Sequence, residues 1–209
     1  MAAAECDDGP VGNVYDKYTT RNPFARWLVN GFLRSVAELY GQVNARSVLE
    51  VGCGEGHLAQ YLLSRGPRPD RFEACDLNLD HLATGLDPAL EFREASIYEL
   101  PWPDRSFELV VCCEVLEHLR DPLRGLRELA RVSSRAVLLS APREPAWRLL
   151  NLARGRYWAA LGNTPGHIQH FSRGALQRLV SSALDIRQVR TPTPWTVLLG
   201  TRRGRDTSQ

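Results

Sequence analysis

Lysine is almost absent from this chain of 209 residues: Lys17 is the only one, and the rest of the 26 basic residues are arginine. Set against 24 acidic residues, that leaves a net charge of +2, too small a field to gather a polyanion or an anionic membrane. With the many alanines and prolines, the arginine bias reads as the base composition of a GC-rich genome, and a nucleic-acid partner is not expected. A secretory signal is not expected either, because MAAAECDDGP has no basic start followed by an apolar core. No apolar run approaches the ~20 residues of a membrane-spanning helix. The five cysteines are odd in number and lack the paired spacing of a zinc site or a disulfide framework, so no metal is expected. Cys53, Cys75, Cys112 and Cys113 fall in or beside predicted buried strands. They read as reduced core thiols, which points to the cytoplasm.

What the sequence does contain is enough for one full hydrophobic core, with 44% hydrophobic residues. A single domain is expected over 13–202, between a flexible start (1–12) and a solvated tail (203–209). Apolar residues at helical spacing predict a helix from Pro23 to Val43, with Pro23 in its first turn and Gly41 at its end. RSVLEVG, RFEACD, LEFREAS, FELVVCCEVL and RAVLLSAP then read as five strands. Between them HLAQYLLSRG, LDHLATGL and DPLRGLRELARV read as helices, the last opened by Asp121 and Pro122. This alternation predicts an α/β fold, a doubly wound and mainly parallel sheet. The rhythm breaks at residues 143–171, an insertion rich in aromatic, arginine and histidine residues, before a helix from Ser172. LDIRQVR and WTVLLGTRR, joined by TPTP, predict a C-terminal antiparallel hairpin that brings the sheet to seven strands.

The first strand runs straight into glycines, as SVLEVGCGEGH. A glycine turn between a parallel strand and its helix lets backbone N–H groups approach a ligand at the carboxyl edge of the sheet. An acid at the end of the next strand, Asp76, is placed to accept both hydroxyls of a ribose. Gly52, Gly54 and Gly56 depart from the dinucleotide spacing G-x-G-x-x-G, because His57 stands where the third glycine belongs. Glu50 would repel a pyrophosphate and could hold an ammonium group, so the pattern suits a nucleoside ligand without phosphate. A tight turn with no ligand is the plainer alternative.

At these residues the chain resembles the class I S-adenosylmethionine-dependent methyltransferases, most closely a small bacterial branch akin to quinone-biosynthesis methyltransferases. VLEVGCGEG is similar to that family's first motif and CDLN to its acidic end of strand two. ASIYELPWPDRSFELVVCCEVLEHLRDP is similar to its third-to-fourth-strand segment. The resemblance implies S-adenosylmethionine as cofactor. Gly52, Cys53, Gly54 and Gly56 would lie under its methionine part and ribose, with Glu50 ordering the turn or the amino group. Asp76 would hold the ribose diol, Leu77 would pack on the adenine, and Ser96 and Ile97 would approach the adenine edge. Ser96 stands where the family commonly has aspartate. Cys113 would run along the cofactor through its backbone, and Glu114 and His118 match positions the family often fills in the same way.

Removing a proton from a hydroxyl acceptor calls for a base, and histidine is suited near neutrality. His118 follows the fourth strand on the correct side of the sheet, although it could merely brace its loop. His167 is expected to face substrate and His170 to be packed. Trp147, Leu149, Leu150, Tyr157, Trp158 and Leu161 could wall an apolar pocket, or form an amphipathic helix on the core. NVYDKYTTRNP is expected to fold over the cofactor as a lid, with Arg21, ahead of Tyr18, meeting the methionine carboxylate. Arg120, Arg124, Arg127 and Arg131 form a basic stripe opposite an apolar face and read as solvated. The expected activity is methyl transfer to a hydroxyl or carbon centre of a small apolar or aromatic compound. The alternatives are an NAD(P)-dependent oxidoreductase and an inactive S-adenosylmethionine-binding regulatory protein.

Overall fold

A computed structural model of the chain describes residues 20–155 and 157–203. The parallel part of its sheet is built from β1 (Ser47–Val51), β2 (Arg71–Asp76), β3 (Leu90–Glu94), β4 (Phe107–Cys113) and β5 (Ser133–Pro142). A hairpin of β6 (Leu184–Arg190) and β7 (Trp195–Arg202) completes it. The strand order is β3-β2-β1-β4-β5-β7-β6, with β7 antiparallel to both β5 and β6. Strands that are apolar on both faces take the centre: β1 and β4 are buried almost throughout, while the charged β3 sits at an edge. The chain winds outward from β1 in one direction and from β4 in the other, so the order reverses between them. That reversal opens a crevice at their carboxyl ends.

Alternate residues of each strand feed two cores. Val48, Leu109, Leu138 and Val197 pack on one face against Phe32, Val36 and Leu39 of α1 (Pro23–Val43) and Leu62 of α2 (His57–Arg65). Their neighbours Leu49, Val110, Leu139 and Leu198 pack on the other face. There they meet Leu126 and Leu129 of α3 (Pro122–Val132) and, beyond the short α4 (Ala146–Ala153), Leu176 and Val180 of α5 (Arg173–Ser181). Helix starts follow local chemistry. The Asn22 side chain accepts from the amides of Phe24 and Ala25, Asp121 caps α3 through Arg124 N at 3.0 Å, and Ser172 caps α5 through Ala175 N. Among the described residues no helix is long and apolar enough to cross a membrane.

Three expectations are corrected. The helix α1 passes through Gly41 and stops at Asn44, whose left-handed backbone returns its N–H to Tyr40 O. Residues 79–86 form turns and not a helix. Asn78 bonds Asp80, Gly85 has φ +74°, and Ala83 N donates to Glu55 O at 3.0 Å, which ties the segment to the glycine turn. Arg131 is not a solvated member of a basic stripe. It donates to the carbonyls of Leu100 and Trp102, each at 2.8 Å, and pairs with Glu128 and Asp104.

Candidate active site

The turn after β1 is shaped by its glycines. Gly52 has φ +78°, and a Cβ there would stand 2.2 Å from Val115 Cγ2. Gly56 has φ +80°, and a Cβ there would press on the Phe92 ring at 3.2 Å. Four N–H groups of this turn bond within the protein. Gly52 N and Cys53 N both donate to Cys75 O (2.8 and 3.0 Å), and Gly56 N donates to Cys53 O at 2.9 Å. Gly54 N donates to Asp76 Oδ2 at 2.7 Å, while Leu77 N donates to Oδ1 at 2.7 Å. Asp76 is therefore fixed at the crevice by one amide on each oxygen, and each oxygen keeps a second acceptor position.

Glu50 lies two residues before the turn and is 2% exposed, a carboxylate brought into the centre of the sheet. Burial pushes the Cys53 thiol up, and the Glu50 and Asp76 carboxylates push it further, so it stays protonated and unreactive. Beside Asp76, Leu77 exposes 45% of its surface, an apolar side chain left at the mouth of the crevice. Ser96 Oγ accepts from Tyr98 N at 3.2 Å. The Ile97 side chain is buried in the core against α3, which leaves its backbone as the part able to meet a ligand. Cys113 is buried at the end of β4. Arg21 is exposed ahead of α1, while Tyr18 and residues 13–19 of the expected lid lie outside the described residues. An acceptor pair beside an exposed apolar side chain, with a second carboxylate close by, is a set of groups that fits the ribose, adenine and ammonium of S-adenosylmethionine.

The two histidines singled out in the sequence come together. His118 ends a short 3-10 turn, Leu116–His118, after β4, and His167 arrives from the insertion; their ring centroids are 4.9 Å apart. His118 Nδ1 lies 2.9 Å from Gly166 O. A carbonyl can only accept, so Nδ1 carries the proton and Nε2 is the basic nitrogen of the neutral ring. The loop is fastened to this turn by Ile168 N and Gln169 N, which both donate to Glu117 O (3.0 and 2.9 Å). Trp147 stacks on His167 at 6.0 Å and donates from Nε1 to Thr164 Oγ1 at 2.9 Å. His170, expected to be packed, is exposed beside Asn163. Leu149, Trp158 and Leu161 are exposed, whereas Trp147 and Leu150 line a crevice with Leu28 and Trp195.

Sequence reasoning missed two participants, Glu117 and Trp195, and gave Glu114 no contacts. Glu117 is buried next to His118, and only its place in EVLEHL pointed to it. Glu114, with φ +64°, accepts from Trp195 Nε1 at 2.6 Å and Ser140 Oγ at 3.0 Å. Trp195 in turn packs on Trp147 at 5.5 Å. It reaches this position through the antiparallel pairing of Pro142 with Trp195, which no local pattern discloses.

Residues 49–139 match the family of methyltransferase domains. A probable S-adenosylmethionine-dependent methyltransferase of Mycobacterium tuberculosis is 37% identical over 100 residues, 47% of this chain and 36% of that protein. A ubiquinone biosynthesis O-methyltransferase of Alkalilimnicola ehrlichii is 31% identical over 101 residues, 46% of this chain and 41% of that protein. The matches thus span well under half the length of these curated relatives. Magnesium protoporphyrin IX methyltransferase of Synechocystis, solved with bound S-adenosylhomocysteine, superposes with a TM-score of 0.61 at 16% identity, over 88% of this chain and 89% of that one. The fold is that of the class I methyltransferases.

Proposed function

We propose that this chain, whose residues 49–139 belong to the methyltransferase-domain family, transfers a methyl group from S-adenosylmethionine to a small molecule at a hydroxyl or carbon centre. The observation that carries the reading is Asp76, with both oxygens fixed by the amides of Gly54 and Leu77 at the sheet's point of reversal. Its remaining acceptor positions suit a ribose diol, and Leu77 offers an apolar surface for the adenine. Ser96 and the Ile97 backbone would border the adenine edge. Gly52, Cys53, Gly54 and Gly56 would underlie the ribose and methionine part, with Cys113 alongside. Glu50 would face the ammonium group, and Arg21 the carboxylate.

When bound, the cofactor supplies a methyl group already activated by its sulfonium, so no residue has to create an electrophile. The protein's work is then to hold the acceptor in line, an effect worth about 7–11 kcal/mol at attack distance. His118 is the group we assign to take a hydroxyl proton, through Nε2, with Gly166 O holding the ring in its working tautomer. His167 lies against it and extends the acceptor side. The apolar lining from Trp147 and Leu150 favours an apolar or aromatic acceptor.

Calorimetric titration with S-adenosylmethionine and S-adenosylhomocysteine tests the first half, and a labelled-methyl screen of cell extract followed by mass spectrometry identifies the acceptor. Saturable heat with both nucleosides is expected. Folded protein that gives none would overturn the reading.

A further inference from the structure

We infer that Glu117, His118 and His167 form a binding site for a divalent transition-metal ion of the zinc type. One donor atom from each residue lies within 4.8 Å of those of the other two. Donors around a tetrahedral zinc stand about 3.3 Å apart at the usual bond lengths of about 2.0–2.2 Å, so the three side chains close by about 1.5 Å on binding. Such a closure is within reach of side-chain rotation at His167, which comes from the insertion.

Three further features favour an ion over a chance cluster. Glu117 is 1% exposed, so the carboxylate it brings to the cluster is shielded from water, where the attraction between a carboxylate and a cation is strengthened. The contact between His118 Nδ1 and Gly166 O at 2.9 Å is the outer hydrogen bond that metal-ligating histidines characteristically make, and it presents Nε2 as the ligand. Ile168 N and Gln169 N pin the His167 loop to the Glu117 carbonyl, so the two halves of the site are joined by backbone as well. Two imidazole nitrogens and one carboxylate oxygen suit zinc and its neighbours, whereas calcium and magnesium prefer oxygen throughout. Three protein ligands leave a fourth position open.

The inference rests on the methyl-transfer reading only for its use. With an ion bound, His118 Nε2 is a ligand and takes no proton; the cation would instead lower the pKa of an acceptor hydroxyl that reaches it, and the proton would leave to solvent. Metal-stripped protein titrated with Co²⁺ should take up one equivalent, with visible d–d absorption, and Zn²⁺ should displace it. Trp147, stacked on His167, should report the same event by fluorescence. Glu117→Gln and His167→Gln should each weaken uptake at least about 100-fold. If Glu117→Gln does not fold, His167→Gln and the unsubstituted protein still decide. Absence of one-equivalent uptake by folded protein, or equal uptake by the folded variants, would overturn the site. Methyl transfer by a protein that takes up no ion sinks this inference alone. Ion uptake without cofactor binding sinks the methyl-transfer reading alone.

Discussion

On the proposed reading, Asp76 serves two purposes through the same two oxygens. It receives Gly54 N and Leu77 N, which locks the turn after β1, and it has acceptor positions left for the ribose. Asp76→Ala should therefore weaken S-adenosylmethionine binding by about 2 kcal/mol or more, roughly 30-fold, and lower the melting temperature as well. Calorimetry paired with thermal unfolding separates the two effects, and an unchanged affinity would remove Asp76 from the ribose. Gly52 gives a second test. Gly52→Ala places a Cβ 2.2 Å from Val115 Cγ2 at φ +78°, so it meets both a clash and a left-handed backbone. We expect a loss of about 1–3 kcal/mol from the backbone alone. Adding Val115→Ala should restore only the part due to the clash, as read from denaturant midpoints.

At the scale of elements, α3 is fastened to the segment before β4 by a group of side chains centred on Arg131. Arg131 donates to the carbonyls of Leu100 and Trp102, and Glu128 accepts from both Arg131 and Leu100 N. The hydrogen bond from Arg131 holds the Glu128 carboxyl below its ordinary value of 4.5. A lowered folded-state value means that this contribution is present at neutral pH and is lost as the pH falls below about 4.5 through the folded value. Arg131→Ala should cost about 1–3 kcal/mol at pH 7 and flatten the acid limb of the stability curve, which urea unfolding across that range measures. The same helix shows where sequence reading works. Asp121 and Pro122 announce its start, as Asn22 and Pro23 announce that of α1, because caps are made by neighbours in the chain. Arg131 read as solvated because its partners come from another segment. Residues 79–86 read as helical because their apolar spacing was legible, while the bond from Ala83 to Glu55 that overrides it was not.

For the whole molecule, the alternation of strands and helices is enough to give the parallel sheet, and the strand order follows from burying β1 and β4 on both faces. The proposed nucleoside half of the candidate site could be drawn from the sequence because its parts, Glu50 to Gly56 and Asp76, sit on consecutive strands. The histidine half was legible only as separate residues, since its assembly depends on the path of the insertion and on the register of β7. That division suggests a test of the molecule as a unit. A ligand that binds only the folded state at 100 times its dissociation constant stabilises by about 2.7 kcal/mol. In a chain of this size that raises the melting temperature by about 5–10 °C. S-adenosylhomocysteine should produce this rise by scanning calorimetry, and NADH should not, because the Glu50 carboxylate and the glycine spacing oppose a pyrophosphate. In His118→Gln the rise should survive while methyl transfer to a hydroxyl acceptor falls, since the nucleoside half is built without that residue. Stabilisation by NADH in place of S-adenosylhomocysteine would reassign the crevice to hydride chemistry, and loss of the rise in His118→Gln would mean that the two halves are one site.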